Sequence, residues 1–291
     1  MRGIAFSYCF LLAAGLGLAT ARAEPVNIVA AENFYGDVAQ QIGGPDVRVV
    51  SILSNPDQDP HLFEANASTA RAIADADIAI LNGADYDPWM AKLLAASRNA
   101  RRETIEVARL FHKKPGDNPH LWYDPGTMPA FAKALAASLA KHDPAHSADF
   151  QTRRAAFEAS LKPITDEVAA LRQTYAGAPV TATEPVFGYM ASAIGLKMRN
   201  ERFQLAVMNS AEPSASAIAA FQKDLKTRTV KVLLYNNQTS EELTQKMRDI
   251  ATEVGVPVVG VSETEPPNTK FQDWMLGQLQ ALKTGLSGKQ P

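Results

Sequence analysis

Short runs rich in Val, Ile and Leu alternate with longer alanine-rich stretches of helical period along this chain, and that alternation restricts the fold more than any other feature. A strand followed by a helix, repeated, is the pattern of parallel sheets whose crossover connections cover their faces. Residues 26–30 read as a first strand and 33–42 as the helix after it, stopped at Gly43-Gly44. Further strands are expected at 47–53, 78–81 and 103–107, with helices at 67–76 and from about 125 to 141. The alternation resumes with strands at 180–183, 230–235 and 256–261 and helices at 186–194, 214–226, 241–254 and 270–286. Between the two halves, Asp143-Pro144 offers an N-cap and a first-turn proline, and 147–175 keeps a helical pattern broken only by Pro163. Such a helix would span roughly 40 Å. The expected architecture is therefore α/β: two parallel-sheet (β/α) lobes, 24–146 and 177–291, joined by one long rigid helix at 147–176.

The first 23 residues read as a signal peptide rather than as part of the fold. Arg2 supplies the positive start, residues 4–18 the apolar stretch, and Ala21-Arg22-Ala23 the small-x-small cleavage pattern, so the mature chain is expected to begin at Glu24 in the periplasm. The apolar stretch is too short for a useful membrane span. Cys9 lies inside it without a preceding lipobox, so lipid anchoring is not expected. Cys9 is also the only cysteine, which excludes disulfides, thiolate ligands and a cysteine nucleophile from the mature chain. About 270 residues must then be held by their own cores, which suits one large or two moderate domains. Loss of Arg2 and Arg22 takes the basic count from 29 to 27 against 31 acids. A mildly acidic chain without a basic patch is a poor partner for nucleic acid or anionic membranes. No later apolar run could cross a bilayer, and a soluble monomer is expected.

Residues able to carry chemistry gather where predicted strands end, the place at which open α/β sheets bind ligands. Asp59-Pro60-His61 follows the second strand and Asn118-Pro119-His120 the fourth, while Glu184 and Glu263 follow two strands of the second half. In both histidine motifs a proline stiffens the loop, which suits a ligand that must hold its direction. Two imidazoles and two carboxylates split between the lobes would converge on the interlobe cleft. Other readings remain open on spacing alone. A loop histidine is most often a surface residue, as His112, His142 and His146 are expected to be. Glu184 also suits the first turn of the following helix, and Glu263 and Glu265 also suit a solvated loop.

The motifs Asp-Pro-His-Leu-Phe-Glu at 59–64, Asn-Pro-His-Leu-Trp-Tyr-Asp-Pro at 118–125 and Glu-Pro-Val-Phe-Gly-Tyr-Met-x-x-x-x-Gly-Leu at 184–196 together resemble the zinc/manganese solute-binding proteins of ABC importers. The resemblance runs over essentially the whole mature chain, including Ala31-Glu32-Asn33-Phe34-Tyr35-Gly36-Asp37. It implies two α/β lobes, a rigid connecting helix, and one divalent metal ion carried between the lobes to a membrane permease. His61, His120 and Glu184 fall on three of the family's four ligand positions. The fourth is usually an aspartate and is matched here by Glu263, with Glu265 or a water as alternatives. Glutamate at the third position is more typical of manganese binders, no His-rich loop precedes His120, and bidentate carboxylates suit the higher coordination numbers of manganese or iron. Manganese is therefore expected over zinc, although zinc binds the same donors more tightly in the Irving–Williams order. The competing reading, a periplasmic metal-dependent hydrolase, would need a general base such as Glu32, Glu64 or Glu265. It finds no His-Glu-x-x-His or Gly-x-Ser-x-Gly motif.

Overall fold

The computed structural model describes residues 24–56, 63–238 and 241–290. In the first half, β1 (Val26–Glu32) lies between β2 (Val47–Leu53) and β3 (Ile78–Leu81), and β4 (Glu103–Glu106) extends the sheet beyond β3. All pairings are parallel and the order is β2-β1-β3-β4. The crossovers are α1 (Asn33–Gly43), α2 (Ala67–Asp75) and α3 (Pro88–Ala96); α4 (Val107–Leu110) and α5 (Thr127–His142) follow the last strand. Local chemistry accounts for several of these. Asn66 caps α2, its side chain accepting from the N–H groups of Ser68 (2.9 Å) and Thr69 (3.1 Å). Gly36 lets α1 lie directly on β2, since a Cβ there would stand 2.0 Å from Ser51 Oγ. All four residues of β3 are buried, as a strand covered on both faces requires.

The connection between the halves is not one uninterrupted helix. It is divided into α6 (Ser147–Ser160) and α7 (Lys162–Tyr175), with Leu161 as the joint. Pro163 is the cause: it has no N–H for the carbonyl of residue 159, and its ring crowds that carbonyl. Bonding restarts from the Leu161 carbonyl, which accepts from Ile164 (3.1 Å) and Thr165 (3.2 Å). The second half repeats the first topology. Strands β5 (Pro179–Ala182), β6 (Lys197–Arg199), β7 (Leu233–Asn236) and β8 (Val258–Val261) form a parallel sheet in the order β6-β5-β7-β8. Helices α8 (Gly188–Ile194), α9 (Glu201–Met208), α10 (Ala215–Lys226), α11 (Glu242–Glu253) and α12 (Phe271–Leu286) surround it. In each sheet the order reverses beside the first strand, and the crevice outside the carboxyl ends there is where a ligand binds.

The two lobes share one continuous apolar core. Its centre is an aromatic seam in which Phe34 packs on Trp122 (ring centroids 4.7 Å apart) and Trp274 (5.8 Å), and Tyr123 on Phe187 (4.9 Å). Because the seam is packed like an interior, hinge opening of whole lobes would expose it to water. Small tilts and loop movement at the cleft would leave the seam covered. No helix among the described residues is long and apolar enough to cross a membrane.

Candidate metal centre

His120 enters from the first lobe, at the end of the loop after α4, and is fully buried. Asn118 fixes its ring. The Asn118 Oδ1 accepts from the His120 N–H at 3.1 Å and faces His120 Nδ1 at 2.6 Å. An oxygen acceptor at Nδ1 requires the proton there, so the neutral ring carries its lone pair on Nε2. That Nε2 lies 3.3 Å from Glu263 Oε2, so an imidazole of one lobe and a carboxylate of the other meet in the interior.

Glu184 and Glu263 follow β5 and β8, and both are buried. Asn236, the last residue of β7, joins them: its Nδ2 donates to Glu263 Oε1 at 2.6 Å and to Glu184 Oε1 at 3.3 Å. The Glu263 loop is held by its backbone as well, the N–H groups of Glu263 (2.5 Å) and Thr264 (3.0 Å) donating to Gln238 Oε1. Among the described residues, no three His, Asp or Glu side chains are gathered closely enough to hold an ion unaided. His61 lies outside the described residues. Glu265 has a different setting: its backbone is clamped by Asn33, whose amide accepts from Glu265 N (3.1 Å) and donates to Glu265 O (2.6 Å). Burial and the nearby Asp37 push the Glu265 carboxyl up to about 9. His112 is exposed, His146 bonds Asp143 (2.6 Å) and His142 faces Glu103 (4.0 Å), so none of the three joins the cluster.

Contacts between the lobes fall beside these same residues. Asn118 Nδ2 donates to Pro185 O (2.8 Å), next to Glu184, and the Tyr123 hydroxyl donates to Ser262 O (2.7 Å), next to Glu263. The Tyr189 hydroxyl returns a bond to Asn118 O (2.8 Å). Asn82 Nδ2 holds Pro119 O from behind (2.8 Å). The loop bearing His120 is thus tied to both carboxylate-bearing loops of the second lobe.

Behind the cluster, at the carboxyl end of β1, Glu32 and Asp87 form a buried acid pair. Asp87 accepts from the N–H groups of Asn82 (2.7 Å) and Gly83 (2.9 Å), which favours its charged form. Neither Glu32 oxygen has a hydrogen-bond partner of good geometry, although the backbone N–H groups of Glu32 and Asn82 lie close enough to favour its charged form. Burial and the adjacent Asp87 hold the Glu32 carboxyl well above its ordinary 4.5, and burial raises Asp87 as well. A raised folded-state value means stability that is complete below the unfolded value and lost as pH rises through the folded one. Glu32→Gln is therefore expected to flatten the decline in stability of the metal-free protein above pH 4.5. Urea unfolding from pH 4.5 upward reads this; a variant profile parallel to wild type would contradict the raised value of Glu32.

The sequence singles out neither Asn236 nor Tyr86, and no spacing pairs Asp87 with Glu32, which the sequence offers only as a general base. Tyr86 is buried with its hydroxyl beside Glu263. The strand-exit rule that selects Glu184 and Glu263 also selects Tyr235-Asn236-Asn237-Gln238, but asparagine is too weak a ligand to draw attention there. Tyr86 and Asp87 follow three consecutive left-handed residues, Gly83, Ala84 and Asp85, a turn without an apolar period to announce it.

The family model described as "Zinc-uptake complex component A periplasmic" (ZnuA) matches residues 28–285. The high-affinity zinc uptake system protein ZnuA of Paracoccus denitrificans is 24% identical over 258 residues, 74% of this chain and 78% of that protein. The zinc-binding protein TroA of Treponema pallidum is 25% identical over 240 residues, 79% of this chain and 76% of its own. The solved structure of periplasmic TroA superposes with a TM-score of 0.75 at 19% identity, over 92% of this chain and all of that one, which shows the shared two-lobed fold. With the family model spanning both sheets and every described member of the cluster, this chain belongs to the ZnuA family of periplasmic metal-binding components of ABC uptake systems.

Proposed function

We propose that this chain holds one divalent first-row transition-metal ion between its lobes through His61, His120, Glu184 and Glu263, and passes it to the permease of an ABC importer. The family is one of solute-binding proteins rather than enzymes, and the hydrolase reading is set aside on that ground. The observation that carries the ligand set is the meeting of His120 Nε2 and Glu263 Oε2, 3.3 Å apart, fully buried and contributed by different lobes. Buried carboxylates are costly unless a cation or strong donors compensate them, and a divalent ion supplies that compensation. Glu184, joined to Glu263 through Asn236, and His61, which follows β2 in the sequence, complete four donors. The backbone clamp on Glu265 and its neighbour Asp37 favour Glu263 over Glu265 as the fourth ligand.

The donor set accepts manganese, iron or zinc, and the sequence preference for manganese rests on glutamate at the third position, the lack of a His-rich loop before His120 and carboxylates able to bind through both oxygens. Export by a signal peptide cleaved after Ala23 and action as a monomer complete the reading. Release follows when the permease favours an arrangement of the loops with weaker affinity. Metal content of protein purified without added metal, compared with His61→Ala, His120→Ala and Glu184→Ala, tests the ligands. Each variant is expected to lose its ion, and near-stoichiometric metal in any one removes that residue from the set. Ligation needs neutral imidazoles, so affinity should fall between about pH 7.5 and 5. Constant affinity across that range would contradict histidine ligation.

A further inference from the structure

We infer that Tyr189 is a positioning residue that governs metal release: from the second lobe it grips the loop carrying His120, and its hydroxyl slows departure of the ion. The inference rests on the metal-binding reading above and needs from it only that His120 is a ligand.

The loop from Lys113 to His120 is anchored at its flanks. Its tip, 114–117, is exposed and closed on itself, Lys114 N–H donating to Asp117 Oδ2 (2.9 Å) and Asp117 N–H to Lys114 O (3.0 Å). Gly116 makes that turn at φ 89°, and a Cβ there would meet no atom within 4 Å. Both flanks rest on Tyr189, the second residue of α8. The Lys113 ammonium stands over its ring, 5.0 Å from the centroid, and its hydroxyl donates to Asn118 O at 2.8 Å. At a partly exposed site the cation–ring contact is a modest attraction. The hydroxyl bond is the directional one.

Asn118 passes this grip to the imidazole. Its Oδ1 accepts from His120 N–H and faces His120 Nδ1 at 2.6 Å, while its Nδ2 donates to Pro185 O at 2.8 Å. Gly188 permits that approach, since a Cβ there would stand 3.1 Å from Asn118 Nδ2. The next carbonyl, Pro119 O, is held at 2.8 Å by Asn82 of the first lobe. Successive carbonyls are thus held by opposite lobes. Any movement of α8 away from the first lobe pulls on Asn118 while Pro119 stays, and turns the ring that Asn118 directs. An open hollow of about 320 Å³, lined in part by Asn118, Pro185, Gly188 and Leu205, flanks the contact and leaves the loop room to lift.

The test uses the mature chain loaded with zinc alone, its release followed with an excess of chromophoric chelator. Residues that orient ligating imidazoles contribute about ten- to a hundredfold in affinity, and Tyr189 acts one bond further out. Tyr189→Phe is therefore expected to release zinc about tenfold faster, with association changed by less than about twofold. In the metal-free variant the His120 amide, bonded to Asn118 Oδ1, should also exchange its hydrogen faster than in wild type, whereas the amides of β3 should not. A tyrosine that only braces the fold would lower stability in urea and leave both readouts unchanged, and that result overturns the proposal. Should Tyr189→Phe fail to fold, Gly188→Ala crowds the Asn118 amide while keeping the hydroxyl; zinc release from it at the wild-type rate overturns the proposal equally. Either failure leaves the metal-binding reading intact. A wild-type chain that retains no zinc removes that reading itself.

Discussion

Glu263→Gln is expected to lower metal affinity by at least about a hundredfold and to raise the stability of the metal-free protein. Removing residues that merely orient ligands costs about ten- to a hundredfold, and loss of an anionic ligand should exceed that. The stability gain has a separate origin. Glu263 is fully buried and its carboxylate meets that of Glu184 at the Asn236 amide, so two acids lie together in the interior. Glutamine keeps the shape and removes one charge, which should stabilise the metal-free chain by about 1 kcal/mol or more. The comparison belongs near pH 8, where free imidazoles are neutral. Opposite signs for metal affinity and metal-free stability identify a residue kept for binding at a cost in folding. Unchanged affinity, or a metal-free chain weakened by several kcal/mol, would make Glu263 a structural residue instead.

Trp122→Ala should produce the largest loss of stability at the seam, about 3–5 kcal/mol. Trp122 packs against Phe34 (4.7 Å), Tyr86 (5.0 Å) and His120 (5.3 Å), and is almost wholly buried. One substitution therefore opens a cavity between the lobes and removes the wall behind the histidine. Metal dissociation should quicken along with the loss of stability. Trp122→Phe is the control. The indole Nε1 has no hydrogen-bond partner, so phenylalanine gives up ring volume but no bond, and the loss should stay below about 1.5 kcal/mol. Urea unfolding of both metal-free variants measures the difference. Equal losses for Phe and Ala would mean that the seam does not depend on filling this volume.

Much of the architecture was legible because its signals are local. The fully apolar β3 and the capped, periodic helices announce themselves, and the βα alternation leads to two parallel sheets. Elements without such periodicity escaped. β6 is a three-residue edge strand, Lys197-Met198-Arg199, whose outer residues are exposed, and α9 after it starts from the left-handed Asn200. α3 opens on Pro88 after the unusual turn at 83–85, and its apolar residues, of which Trp89, Met90, Leu93 and Leu94 pack on the core, show no clear one-sided period. The interrupted α6–α7 connection shows that a single proline at 163 outweighed a long favourable pattern.

The same division holds at the centre. His120, Glu184 and Glu263 could be proposed from strand exits and motifs because imidazole and carboxylate are obvious ligand chemistry. Asn118, Asn236 and Tyr123 act through direction: one fixes a tautomer, one shares its amide between two acids, one bonds a carbonyl across the cleft. Sequence spacing carries no trace of which atom an amide turns towards which neighbour.

Native mass spectrometry of the chelator-stripped mature chain, titrated with one equivalent of zinc or manganese, tests capture of a single ion most directly. One tightly held ion per chain is expected, absent from both His120→Ala and Glu184→Ala. Failure to retain any divalent ion, or equal retention in the two variants, would contradict capture at this centre.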